Sequence, residues 1–260
     1  MAGPRLELEA KLAVISDAPR IVADGIARLE SLENWTLGEP EVISVRDVYF
    51  DLPDLPLESK GIALRLRLLG NRYVMTVKGP ETRVEDALRR EELEQHWSLE
   101  TLDLIRRRLH DWGIPLPPPP SLGNEMAPSA VIGRWGFVIV QDRGTFRRCR
   151  DVWQGAAEAA VTAELAVDEV VYRIGGRNVR HHEVEIELRS GRTAHLGEIV
   201  AGLRRRWPVL TVWPHSKYAT GKALETLLGI PQPELEISGN GDLLPDGYAR
   251  LERWLGERRH

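Results

Sequence analysis

Cysteine is nearly absent: Cys149 is the single thiol in 260 residues. One cysteine excludes an intrachain disulfide framework and any multi-cysteine metal site, and it fits a reducing compartment. Aromatic residues make up 6% of the chain, and its eight tryptophans are scattered, which reads as core and helix packing rather than a base-stacking surface. No apolar run approaches the ~20 residues of a membrane span. Nothing at the N-terminus resembles a signal peptide, so the expected location is cytoplasmic, with no membrane partner. A net charge of −4 provides no global basic field, so no nucleic acid polymer is expected as a partner and any anion site must be built locally. What remains is an ordinary globular composition, 28% charged and 42% hydrophobic, on a chain long enough for one large domain or two small ones.

Hydrophobic periodicity predicts a strand over 5–15 and a helix over 17–32 with Asp17 as its N-cap. Strands follow at 42–51, 62–69, 73–78 and 87–97, with Gly70-Asn71 as a tight turn. A helix is expected over 99–112, ended by Gly113. Pro115 and Pro117–Pro120 open an exposed connector that reaches Gly133. Further strands are predicted at 136–143, 146–153, 161–174 and 181–189, and helices at 195–207 and 216–228. Pro231 and Pro233 then mark a boundary, with a main domain over 1–230 and a tail over 231–260 carrying a short surface helix near 246–259. This order predicts an α+β fold whose antiparallel strands close on themselves, removing unpaired edges.

Within those strands charge recurs at a period of two, which places it on one face of each strand. Glu7, Glu9 and Lys11 share a face opposite Leu6, Leu8, Ala10 and Leu12. Arg65 and Arg67 alternate with leucines; Thr76 and Lys78 share a face; Arg90, Glu92 and Glu94 form a mixed one, with Glu91 turned outward toward a surface base. Arg148 and Arg150 flank Cys149, Asp168 follows Glu164 and Ala166, and Glu183, Glu185 and Glu187 repeat the opening pattern. A single charged face is usually a solvated one. About six such strands with apolar opposite faces imply that the charges line a lumen while helices cover the outside. Mixed acids and bases offset one another there, and they suit an anionic ligand bridged by a metal ion. Mg²⁺ and Mn²⁺ take oxygen ligands, whereas Arg and Lys hold phosphate oxygens. His181, His182 and the remaining histidines have no metal spacing and read as structural.

Nine short motifs, in order, resemble the CYTH or triphosphate tunnel metalloenzyme superfamily. They are Glu7-x-Glu9-x-Lys11, Asp47-Val-Tyr49-Phe-Asp51, Gly61-x-Ala63-Leu-Arg65-x-Arg67, Thr76-Val-Lys78-Gly, Arg90-x-Glu92-x-Glu94, Phe146-x-x-x-Arg150-x-x-Trp153, Asp168-x-Val-x-Tyr172, Glu183-x-Glu185-x-Glu187 and Ser216-Lys217-Tyr218. The resemblance covers residues 5 to 228 and implies an eight-stranded closed antiparallel barrel, a tunnel with helices packed outside. By the same resemblance Glu7, Glu9, Glu183 and Glu185 would ligate Mg²⁺ or Mn²⁺. Glu92, Glu94 and Asp168, with Glu7 and Glu9, would serve catalysis. Lys11, Arg65, Arg67, Lys78, Arg90, Arg148, Arg150 and Lys217 would hold phosphates.

The implied activity is metal-dependent hydrolysis of a small-molecule triphosphate by attack of water, with inorganic tripolyphosphate first because no pocket for an organic group is evident. Thiamine triphosphatase, a class IV adenylate cyclase making cyclic AMP from ATP, and a non-catalytic polyphosphate- or nucleotide-binding module are the alternatives. The intact set of carboxylates weighs against the last. A monomer or a homodimer is expected.

Overall fold

A computed structural model describes residues 8–84, 87–121, 126–155, 160–230 and 235–257, with side chains described for all of these but 81–84 and 87–90. The described residues form two compact units, one spanning Val45–Asp142 and the other built from residues 8–44 and the described residues after Asp142.

The chain begins with β1 (Glu9–Val14), α1 (Pro19–Ala27), β2 (Ser31–Leu32) and β3 (Trp35–Leu37), and enters the Val45–Asp142 unit along β4 (Glu41–Asp51). That unit continues with α2 (Pro56–Ser59), β5 (Ala63–Leu69), β6 (Arg72–Val84), β7 (Ala87–His96), α3 (Leu99–Asp111) and α4 (Pro128–Arg134). The chain leaves it along β8 (Val138–Gln154) and completes the other unit with β9 (Ala163–Ile174), β10 (Arg177–Leu188), α5 (Thr193–Arg206), β11 (Leu210–Val212), α6 (Lys217–Gly229) and α7 (Pro245–Glu257).

In the Val45–Asp142 unit, β4, β5, β6 and β7 pair antiparallel in sequence order. Their apolar faces, with Val48, Phe50, Leu64, Leu66, Met75 and Val77, pack beneath Leu102, Ile105 and Leu109 of α3 and Val131 and Ile132 of α4. Alternation in the strands and the i, i+3, i+7 spacing in α3 bring these side chains to one layer, and each fully buried Leu or Ile contributes about 1.5–3 kcal/mol. Ser98 caps α3 by accepting from Thr101 N–H at 3.1 Å, and Gly113 at φ +78° follows its end. Glu91 lies outward as expected, 3.4 Å from Arg108 of α3.

In the other unit the order is β11-β1-β10-β9-β8, with β3 on β8 and β2 on β3, again antiparallel. Leu12, Val14, Leu165, Val167, Val184 and Ile186 face Ile26 of α1 and Ile199 and Leu203 of α5. The opposite face carries charge along its middle. At one end it turns apolar: Ala13, Val170, Tyr172 and Val179 pack with Trp213, Leu224 and Leu227 of α6, and Tyr248 and Leu251 of α7.

The α+β class and the antiparallel pairing agree with the sequence. A closed ring of eight is not shown: there are eleven strands among the described residues, and β7 and β11 each pair on one side. β2, β3 and β11 are two or three residues long, which leaves eight long strands. Other expectations are corrected in detail. The strands expected at 136–143 and 146–153 are one strand, because Gly144 stays in the ladder opposite Val171. The helix expected over 17–32 stops at Ala27 and gives way to β2. Part of the expected connector is α4, which starts at Pro128, a residue suited to the first helical turn. The C-terminal helix buries Tyr248, Leu251 and Leu255 instead of lying on the surface.

Candidate functional site

Two charged faces carry the candidate residues, one in each unit. In the Val45–Asp142 unit the ladder sets Asp47 opposite Arg67, Arg65 opposite Thr76, Thr76 opposite Glu94, and Lys78 opposite Glu92. Arg67 donates to both oxygens of Asp47, Nε at 2.8 Å and Nη2 at 3.0 Å. Arg65, 7% exposed, donates Nη2 to Thr76 Oγ1 at 3.0 Å and to Glu94 Oε2 at 3.2 Å, and Lys78 Nζ lies 2.9 Å from Glu92. Arg65, Arg67, Lys78, Glu92 and Glu94 therefore share one face, as the period of two requires. Asp51, part of the same motif as Asp47, serves the backbone instead. Its carboxylate accepts from the backbone N–H groups of Leu52, Leu57 and Glu58 at 2.7–3.0 Å, holding the first turn of α2. The side chain of Arg90 lies outside the described residues.

The other unit builds a denser cluster. Across β1, β10 and β9 the register places Lys11 opposite Glu185, Glu9 opposite Glu187, and Glu183 opposite Asp168. Asp168 and Glu183 have no solvent exposure. Ser216 caps α6 by accepting from Ala219 N–H at 3.1 Å, and Tyr172 Oη donates to the Lys217 carbonyl at 2.8 Å. These two bonds set where the helix begins, and so aim Lys217 into the acids: its Nζ is 3.0 Å from Asp168 and 2.6 Å from Glu185, and it contacts Glu183. Lys11 Nζ is 2.8 Å from Glu9 and 3.8 Å from Glu185. Glu7 lies outside the described residues.

Arg147, which alternation in the sequence does not single out, is the third cation of this face. It pairs with both oxygens of Asp168 and with Glu185. Arg148 and Arg150 are corrected accordingly. They lie opposite Val167 and Leu165, on the face that meets the outer helices, and Arg148 pairs with Asp24 of α1 at 2.5 Å. Arg147, Arg148 and Arg150 make the run basic at almost every position, so alternation alone could not phase it. Cys149 shares Arg147's face, and burial pushes its thiol up to about 12.

The electrostatics are those of mutual neutralisation. Burial by itself raises the Glu183 carboxyl and lowers the Lys217 ammonium. Attraction reverses both: Lys217, the His181 hydrogen bond and Lys11 hold Glu183 well below the usual carboxylate range, and Glu183, Glu185 and Asp168 raise Lys217. Lys11 is likewise raised, its burial outweighed by Glu185, Glu9 and Glu183.

Asp168, Glu183 and Glu185 each offer one oxygen within 4.8 Å of the others. A compact set of oxygen donors with no sulfur or imidazole fits a hard dication such as Mg²⁺ or Mn²⁺. Asp168, expected to be catalytic, thus joins Glu183 and Glu185, whereas Glu9 reaches the cluster through Lys11. Two further participants, His181 and Tyr248, carry no signal in the sequence pattern. His181 Nε2 is 2.8 Å from Glu183 Oε2, and its Nδ1 is 2.8 Å from Tyr248 Oη. No spacing rule announces them, since Tyr248 comes from α7, 67 residues along the chain.

Among the described residues no helix is long and apolar enough to cross a membrane. No curated protein sequence matches this chain. Among solved structures, the chain is similar to an adenylyl cyclase candidate from Hippeastrum whose name reports a dominant triphosphatase activity, with a TM-score of 0.56 and 18% identity over 88% of this chain and 99% of that one. It is also similar to a candidate adenylate cyclase from Bacillus halodurans, with a TM-score of 0.52 and 17% identity over 83% of this chain and 96% of that one. At such identities the likeness is one of fold. A sequence model of the CYTH domain matches residues 5–206, most of the chain. This protein belongs to the CYTH domain family.

Proposed function

We propose that this protein is a metal-dependent triphosphatase that hydrolyses inorganic tripolyphosphate, using Mg²⁺ or Mn²⁺. The observation that carries the proposal is the interleaving of Lys11, Arg147 and Lys217 with Asp168, Glu183 and Glu185 on one largely buried face. Without ligand these groups neutralise one another. A phosphate chain offers the three cations new anionic partners, a dication displaces them from the three carboxylates, and either ligand strengthens the binding of the other. Such a cation, when bound, neutralises phosphate charge and makes water a better nucleophile.

The chain's own groups divide the rest of the work. Lys11, Arg147 and Lys217 bind and orient phosphate oxygens, for which forked guanidinium donors and compact ammonium charges suit. Glu9 is 39% exposed and beside Lys11, more open to water than Asp168, Glu183 or Glu185, and its role is to orient the attacking molecule. Arg65, Arg67 and Lys78 serve as further phosphate ligands; Asp47 is the resting partner of Arg67, and Glu92 and Glu94 are those of Arg65 and Lys78 and the candidate acids. The closed eight-stranded tunnel implied by the sequence belongs to this proposal too, supported by the count of eight long strands.

A second reading, a cyclase making cyclic AMP from ATP, is favoured by the names of the two similar structures, both of which mention adenylate cyclase. One product assay separates them. The protein is incubated with tripolyphosphate, thiamine triphosphate or ATP, each with Mg²⁺ or Mn²⁺, and products are resolved by chromatography. Orthophosphate from tripolyphosphate is expected. Cyclic AMP from ATP, with tripolyphosphate untouched, overturns the proposal for the cyclase. Turnover of thiamine triphosphate alone replaces the substrate, and tight binding without turnover leaves a binding module.

A further inference from the structure

β10 carries two adjacent histidines whose side chains point to opposite faces, and the C-terminal segment holds both. On the helix-covered side, His182 Nε2 is 2.9 Å from Asp242 Oδ1, and Arg20 of α1 donates to the same carboxylate. A backbone bridge joins Arg180 to Asp242. On the charged side, His181 lies between Tyr248 and Glu183. His181, Trp213 and Tyr248 pack with ring centroids 5.6–5.8 Å apart, and His181 has no exposure. Within the C-terminal segment Gly247 lets α7 pack on the backbone of Glu236: a Cβ there would sit 2.5 Å from the Glu236 carbonyl oxygen.

The direction of the hydrogen bonds follows from the groups present. The backbone N–H of His182 points at Tyr248 Oη at 3.4 Å. Tyr248 Oη accepts there and shares a second hydrogen bond with His181 Nδ1 at 2.8 Å. Glu183 is held as a carboxylate and can only accept, so His181 Nε2 carries a proton and donates to Glu183 Oε2. That oxygen is thereby fixed in place, and Oε1, which contacts Lys217, is turned into the acidic cluster.

We propose that Tyr248 and His181 are positioning residues that orient the Glu183 carboxylate for cation binding, so that the C-terminal helix, beyond the residues matched by the CYTH domain, sets the affinity of the metal site. The proposal rests on the assignment of Asp168, Glu183 and Glu185 as the cation ligands. Hydrogen-bonding partners of metal ligands commonly contribute about 10–100-fold to affinity. Tyr248→Phe deletes one hydroxyl and keeps the ring packing. His181→Ala removes the donor to Glu183, and His181→Gln returns an amide N–H to that position.

The test titrates Mn²⁺ into the 260-residue chain by calorimetry, with thermal melting of each variant in parallel and Glu183→Gln as reference. Tyr248→Phe and His181→Ala are expected to weaken Mn²⁺ binding by about 10-fold, with recovery in His181→Gln, while the folded fraction at the titration temperature is unchanged. Wild-type affinity in Tyr248→Phe overturns the proposal, even if its melting temperature falls, because that is the signature of a structural contact. Should His181→Ala not fold, Tyr248→Phe alone decides. Mn²⁺ binding lost in Glu183→Gln but unaltered in Tyr248→Phe sinks the positioning role and leaves the metal site standing. No Mn²⁺ binding by the wild-type protein removes the metal site, and the positioning role with it.

Discussion

Arg147 meets Asp168 across the β8–β9 ladder with two parallel hydrogen bonds, Nε to Oδ1 at 2.8 Å and Nη2 to Oδ2 at 2.6 Å. Asp168 has no exposure, and the same guanidinium touches Glu185. A forked, partly exposed cation in this position is matched to phosphate oxygens as well as to carboxylates.

Arg147→Ala is therefore expected to raise the KM for tripolyphosphate by about 10-fold or more, the loss of a charged hydrogen bond worth about 1.5–3 kcal/mol. Arg148 pairs with the half-exposed Asp24 on the other face, so Arg148→Ala should leave KM unchanged and alter stability by at most about 1 kcal/mol. Steady-state kinetics on the two variants decide. An equal rise in KM for both would reject the assignment of faces.

Glu9 and Arg65 should fail differently. Glu9→Gln keeps size and hydrogen bonding but loses the charge beside Lys11, and is expected to cut kcat by about 10²-fold, the scale of a lost acid–base or water-orienting group. Arg65→Ala should act mainly through KM, since it removes a phosphate ligand. Wild-type kcat in Glu9→Gln would count against any role for this acid in the reaction.

Asp51 should matter for stability alone. Its carboxylate is 1% exposed and accepts three backbone N–H bonds at the start of α2. Asp51→Ala is expected to cost about 2 kcal/mol, read as a lower urea midpoint with an unchanged m-value. The activity per folded molecule should stay the same.

Cys149 should be inert at neutral pH. Burial pushes its thiol from 9.0 up to about 12, and a thiolate is the reactive form. Native protein should resist thiol reagents at pH 8 and react once unfolded. The raised value stabilises the fold fully below the unfolded thiol's pKa and is lost as pH climbs from 9.0 through about 12. Melting temperatures of the wild type and Cys149→Ser should therefore diverge less above that window than below it. Rapid native labelling at pH 8 would contradict the burial.

Much of both charged faces is legible in the chain because a strand's alternation is a local property. Lys11 with Glu9, Arg65 with Arg67, and Glu183 with Glu185 all fall on the faces that a period of two assigns. Where composition blurs the alternation, as in Arg147-Arg148-Cys149-Arg150, phase comes only from the partner strand, through Arg147 opposite Asp168. Short elements escape the periodicity for a related reason. β2, β3 and β11 are too brief to show a period, and α4 hides behind a proline that opens it.

The sequence by itself determined the α+β class, the family and, outside the run Arg147–Arg150, which acids and bases lie on shared strand faces, since these follow from patterns within a few neighbouring residues. Only the tertiary structure decided which charges neutralise which. Lys217 enters the cluster from a helix 32 residues past Glu185, Arg147 reaches Glu185 from 38 residues before it, and Tyr248 reaches His181 from α7. Such meetings depend on strand register and helix docking, which are set by the packing of apolar faces and leave no trace in the spacing of the charged residues themselves.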